Sequence, residues 1–235
     1  MIATILVHLL AAYAVLFGPW LGRLWYERVR KRIVGGGPDV KVGLYRELVV
    51  EQIITTVAIL ALSVCGRIAA PNLGLVAPRS WVWNISALVI VLGVLVWSSL
   101  RLRPRAGKIR ERERIGALLP DSPRERWWFG AVSLGAGVSE ELLFRGFLLY
   151  YFTLYVPHTN TAARVLLASL SFGLAHLYQG GQGVVGTAIL GLVLAGLYLM
   201  TGSLLLPILI HAALDLRVLL IFRANAPTIA AEGNA

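Results

Sequence analysis

From Trp81 to Leu100 the chain reads WVWNISALVIVLGVLVWSSL, a run without a single charge. About 20 helical residues cross a bilayer core. Seven stretches are long and apolar enough to do so: roughly 2–21, 48–65, 81–100, 127–156, 161–178, 183–201 and 203–223. What remains cannot clothe a water-facing surface. Hydrophobic residues make up 57% of the 235 and charged residues only 14%, against about 25% in a soluble domain. The expected fold class is therefore all-α: a polytopic membrane helical bundle of about seven transmembrane helices.

The first stretch lacks a basic leading region and a small-residue cleavage site, so a retained helix is expected there and not a signal peptide. The fourth is too long for one perpendicular span, and its opening Trp127-Trp128 suits the membrane interface. The single Cys65 excludes an internal disulfide and any site needing two Cys ligands. It reads as a small buried or lipid-facing residue.

A net charge of +10 would suit a nucleic-acid partner, but its distribution argues against one. Of the 22 Lys and Arg, seven lie between Arg23 and Arg46 and nine between Arg101 and Arg126. Such clusters between apolar runs mark cytoplasmic connections beside anionic lipid headgroups. Membrane lipid is the expected partner, and nucleic acid is not. The connection between the second and third stretches carries only Arg67 and Arg79. The N-terminus is then expected outside, the C-terminus in the cytoplasm, and the protein integral to a bacterial cell membrane.

These features divide the chain into an N-terminal three-helix membrane region (1–100), a basic amphipathic cytoplasmic linker (101–126), a four-helix core (127–223) and a polar C-terminal tail (224–235). Arg alternates with Glu along the linker, and Pro120 and Pro123 interrupt it.

Only a few ionisable groups lie deep inside the apolar stretches. They are Glu140, Glu141 and Arg145 in the fourth, His176 in the fifth, and His211 and Asp215 in the seventh. Each costs about 2.5–3.5 kcal/mol at the bilayer centre and normally faces the bundle interior. Six of them on three helices imply a shared polar cavity. Glu51, Arg164, Arg217 and His8 lie nearer helix ends or stand alone, and His8 and His158 read as ordinary hydrogen-bonding groups.

Spacing says how the six could meet. Residues four apart stack on one helix face, whereas neighbours point about 100° apart. Glu141 and Arg145 can form an ion pair, which leaves Glu140 without a cation on its own helix and suited to acid or base work. Phe172 can pack against His176, and Asp215 can accept from His211. Glycines at 135, 137, 146, 173, 180, 181, 183, 186 and 191 would let helices approach closely, and Thr187, Gly191 and Ala195 form a small-residue seam.

Glu140-Glu141-x-x-x-Arg145, Phe172-x-x-x-His176 and His211-x-x-x-Asp215, in that order on successive helices, resemble the CPBP (Abi) intramembrane proteases. That family includes the type II CAAX prenyl endopeptidases and bacteriocin self-immunity proteins. The resemblance covers roughly residues 127–223. It implies hydrolysis of a peptide bond in a peptide or protein substrate at the membrane, CAAX-type prenylated proteins among the candidates. By motif position, Glu140 and His176 would activate water and His211 would stabilise the intermediate. Asp215 would orient His211, because it stands where many members have Asn; Glu141, Arg145 and Phe172 would support the set. The family has been described both as metallo- and as glutamic proteases. A divalent metal such as Zn²⁺ on Glu140, His176 and His211 therefore stays open beside a metal-free mechanism. A proton-coupled transporter or a non-proteolytic scaffold or immunity protein would also place such groups on facing helices.

Overall fold

A computed structural model describes residues 2–36, 39–101 and 118–221. Among them there are seven helices and no strand. Helix α1 spans residues 2–35 and passes through a π turn at Tyr13–Phe17. Then come α2 (Val40–Val64), α3 (Trp81–Arg101), α4 (residues 123–155, with a π turn at Leu142–Leu148), α5 (Thr161–Ala175), α6 (Gly180–Thr201) and α7 (Leu205–Ile221). Four segments are long and apolar enough to cross a membrane: Thr4–Ile33, Val40–Val64, Trp81–Ser98 and Leu177–Thr201. The protein is an integral membrane helical bundle.

Most of the expected amphipathic linker (102–117) and of the C-terminal tail (222–235) lies outside the described residues. The basic residues Arg23 to Arg32 sit on the continuation of α1, not in a loop, because nothing in that stretch breaks a helix before Gly35. Pro123 does not interrupt a helix either; it opens one. It occupies the first turn of α4, where its missing N–H costs nothing, and the Ser122 hydroxyl accepts from the Glu125 amide at 3.2 Å. Glu125 reaches back to the Asp121 amide at 2.8 Å, as in a capping box. This start is clasped to α2. Lys41 meets Asp121 and donates to the Leu119 carbonyl, and the Tyr45 hydroxyl donates to the Leu118 carbonyl, the last two at 2.8 Å.

Helix α4 runs through the middle of the bundle, packed on α2 and α7, while α5 pairs with α6. Small residues set these distances. A Cβ on Gly137 would lie 3.0 Å from the Ile208 carbonyl oxygen and the Ala212 Cβ, so α4 and α7 can meet only because none is there. Gly173 and Gly191 do the same between α5 and α6, whereas Gly180, Gly181 and Gly186 have open space beside them. The main apolar core gathers around the second half of α4, where Phe144, Phe147 and Leu148 meet Ile59, Leu62, Leu73 and Phe172. Cys65 is exposed at the C-terminal cap of α2.

Candidate active site

Glu141 is fully buried on α4, and its Oε1 is shared between two donors. Arg145 donates from Nη1 at 2.7 Å, and His211 on α7 donates from Nδ1 at the same distance. Arg145, itself 2% exposed, also points Nη2 at the Gly191 carbonyl (3.4 Å) and lies over the Phe172 ring, 4.2 Å from its centroid. Glu141 thus joins an ion pair to an imidazole, and the close approach at Gly137, one turn before it, brings α7 within reach. The α4 π turn begins at the next residue; such turns recur at functional sites because they re-aim side chains without ending the helix.

On α5, His176 caps the helix and donates from Nδ1 to the Phe172 carbonyl at 2.9 Å. A carbonyl can only accept, so Nδ1 carries the proton and a neutral His176 offers a lone pair at Nε2. Phe172 packs edge-on against His176, His211 and Phe144, with ring centroids 4.9, 5.7 and 5.1 Å away. One ring therefore holds both imidazoles and the guanidinium.

Glu140 faces the remaining space. Its Oε2 is 3.8 Å from His176 Nε2 and 3.8 Å from His211 Nε2, and that buried oxygen has no hydrogen-bond partner. Asp215 Oδ2 lies 3.9 Å from His211 Nε2. The orienting contact on His211 thus comes from Glu141, across the helix interface. Asp215, one turn along α7, stands on the open side of the ring. Separations near 3.8 Å are too long for direct hydrogen bonds and leave room for a shared small molecule such as water.

The donor chemistry is that of a zinc site: two imidazoles with Nδ1 anchored to oxygen acceptors, and an unsatisfied carboxylate oxygen. The spacing is not. Among the described residues no group of three His, Cys, Asp or Glu is arranged to hold a metal ion.

Beside Glu140 and His176 opens a cavity of about 410 Å³ walled by α1, α2, α4 and α5. Three of its polar residues were not singled out as site residues by the motifs: Tyr13 in the α1 π turn, Glu51 on α2, and Tyr178 after His176. A signal for Glu51 existed, since Glu47, Glu51 and Thr55 recur every four residues along an otherwise apolar helix face. His8 instead bonds Tyr151 at 3.1 Å, away from the site.

No curated protein and no solved structure matches the chain. A family model does: residues 122–217 match that of the Rce1-like type II CAAX prenyl endopeptidases. The match begins at the Ser122 cap of α4 and takes in all seven residues of the three motifs. It supports the resemblance those motifs carry, over the part of the chain that holds them.

Proposed function

We propose that the protein is an intramembrane endopeptidase that cuts a peptide bond of a membrane-associated substrate at Glu140, His176 and His211. The observation that carries this reading is the unpartnered Oε2 of Glu140, set 3.8 Å from two imidazole Nε2 atoms that come from two other helices. Peptide hydrolysis needs an activated water, stabilisation of the tetrahedral oxyanion and a proton for the leaving amine. Water held between Glu140 and the lone pair of His176 loses its proton to Glu140 as its oxygen attacks the carbonyl carbon. Glu140 later returns that proton to the leaving nitrogen. His211, with Nδ1 engaged by Glu141, donates from a protonated Nε2 to the oxyanion. Asp215, acceptor-only when ionised, faces that same N–H and keeps it directed into the site. No step is assigned to a metal.

The test uses the full chain reconstituted in vesicles with lipid-anchored peptides, prenylated and acylated, followed by mass spectrometry of the products. Cleavage that Glu140→Gln abolishes supports the reading. Retained cleavage in Glu140→Gln, or in the His176→Ala, His211→Ala double variant, would sink it. Activity should resist a chelator titration; loss restored by Zn²⁺ would overturn the metal-free mechanism. Orientation is part of the proposal: the end of the bundle bearing Arg23 to Arg46 faces the cytoplasm, so the cavity, which reaches Trp25 and Glu47, opens to that side.

A further inference from the structure

The cavity beside Glu140 has an imbalance of charge. Glu47, Glu51 and Glu140 all line it, and among the described residues no Lys or Arg does. Arg32 meets Glu47 at 3.6 Å, and Arg145 is already engaged by Glu141. Among the described residues Glu51 has only neutral partners: the Tyr13 hydroxyl donates to its Oε1 at 2.8 Å, and Thr55 donates to the same oxygen at 3.3 Å. Among the described residues no donor meets its other oxygen. Glu51 is exposed on an otherwise apolar face of α2, and among the described residues no countercharge comes to it from the cavity wall.

The placement of Glu51 is built. It lies on α2, outside the segment that carries the motifs, yet it turns into the same cavity as Glu140 and His176. Tyr13, which holds it, opens the π turn of α1. Gly18 and Gly22, on the α1 turns that follow, also line the cavity and keep its wall low. At about 410 Å³ the space is of a size that takes a small ligand or a short peptide segment.

We propose that Glu51, held by Tyr13, is a substrate-recognition residue that receives a lysine or arginine side chain near the bond to be cut. This rests on the hydrolytic reading of Glu140 and adds a substrate class to it: membrane-anchored peptides with a cation at that position. An acidic side chain there would meet three carboxylates and be rejected, which is discrimination by repulsion as well as by attraction.

The test offers the reconstituted full chain an equimolar set of lipid-anchored peptides in phosphatidylcholine vesicles, whose neutral headgroups leave charge selection to the protein. The peptides differ only in carrying Lys, Gln or Glu at one scanned position. At low concentration the Lys peptide should be cut about tenfold faster than the Gln peptide, and the Glu peptide slowest. The difference should lie in KM, with kcat alike at saturation. Glu51→Gln should erase the preference, Glu51→Asp keep it, and Glu51→Lys invert it toward the Glu peptide. Tyr13→Phe should weaken it without inversion. A merely structural tie between α1 and α2 would not invert. Photo-crosslinking of the same peptides to a Glu140→Gln protein, with benzoylphenylalanine in place of Leu21, reads the charge preference without hydrolysis. Charge-blind cleavage by the wild type, or Lys preference surviving in Glu51→Lys, would overturn the proposal. Lys-selective capture with no cleavage by the wild type would uphold recognition and sink the protease reading. Neither cleavage nor selective capture would overturn both.

Discussion

Removing the guanidinium of Arg145 should unfold this protein far more readily than neutralising Glu140, although the two residues are little more than one turn apart. Arg145→Ala deletes a 2.7 Å charge-assisted bond to Glu141 and a cation stacked 4.2 Å from the Phe172 centroid. Glu141 is left fully buried with His211 as its one remaining partner among the described residues, and its Oε2 already has none there. Breaking a buried pair from one side costs about 3–5 kcal/mol, because the surviving charge is uncompensated. In a chain of this size each kcal/mol lowers Tm by about 2–4 °C, so a fall of about 6–20 °C is expected. Glu140→Gln should cost less than about 1 kcal/mol, since its side chain is 29% exposed and the altered oxygen carries no hydrogen bond. Thermal unfolding of the purified full chain in detergent, followed by tryptophan fluorescence, measures both. Glu141→Gln combined with Arg145→Met removes both charges and should be milder than the sum of the single changes by about 0.5–3 kcal/mol. Equal losses for Glu140→Gln and Arg145→Ala, or strict additivity in the double variant, would refute the division between a structural pair and a free carboxylate.

Three further outcomes are expected. His176→Ala and His211→Ala should each remove most of the cleavage rate, and the double variant should be little slower than either single one, because the groups serve one step; single-turnover kinetics would reveal any multiplicative loss. Gly137→Ala places a Cβ 3.0 Å from the Ile208 carbonyl and should part α4 from α7, lowering kcat by drawing Glu141 away from His211 while helical content by circular dichroism stays near wild type. In a Cys65→Ser background, a cysteine at residue 108 should resist membrane-impermeant labelling from outside sealed cells, and one at the exposed residue 69 should react; the reverse pattern would invert the proposed orientation.

The helices and the three motifs were legible in the sequence because a lipid-facing helix must be apolar along its length, so intrusive charges stand out. Partnership was less legible. Spacing of four found Glu141 with Arg145 and Phe172 with His176, both local to one helix. It assigned His211 to Asp215 for the same reason, whereas the nearer carboxylate is Glu141 on another helix, at 2.7 Å against 3.9 Å. Tertiary distance is invisible to periodicity. Glu51 and Tyr13 escaped likewise: they lie on different helices, and only the packing of α1 against α2 makes them a pair. The extension of α1 to Gly35 was missed because its last turns are basic and not apolar, and a hydropathy reading stops where helix propensity does not.

The π turns of α1 and α4 give the cavity walls an unusual tolerance of insertion and deletion. A π turn holds one residue more than an α-helix would use there. Losing a residue within Leu142–Leu148 would leave a regular helix, with Leu149–Tyr155 kept close to its present register relative to Glu140 and Glu141 and only the side chains of the turn re-aimed. The same holds at Tyr13–Phe17, where the step would re-aim Tyr13 while the half of α1 that carries Trp25 keeps its face. Both turns contribute to one cavity, Tyr13 from α1 and Leu143 and Phe144 from α4. A single-codon change at either place would thus recut the contour of that space while the helices around it stayed whole. Most transmembrane segments offer no such place, because a residue gained or lost rotates an entire lipid face out of register.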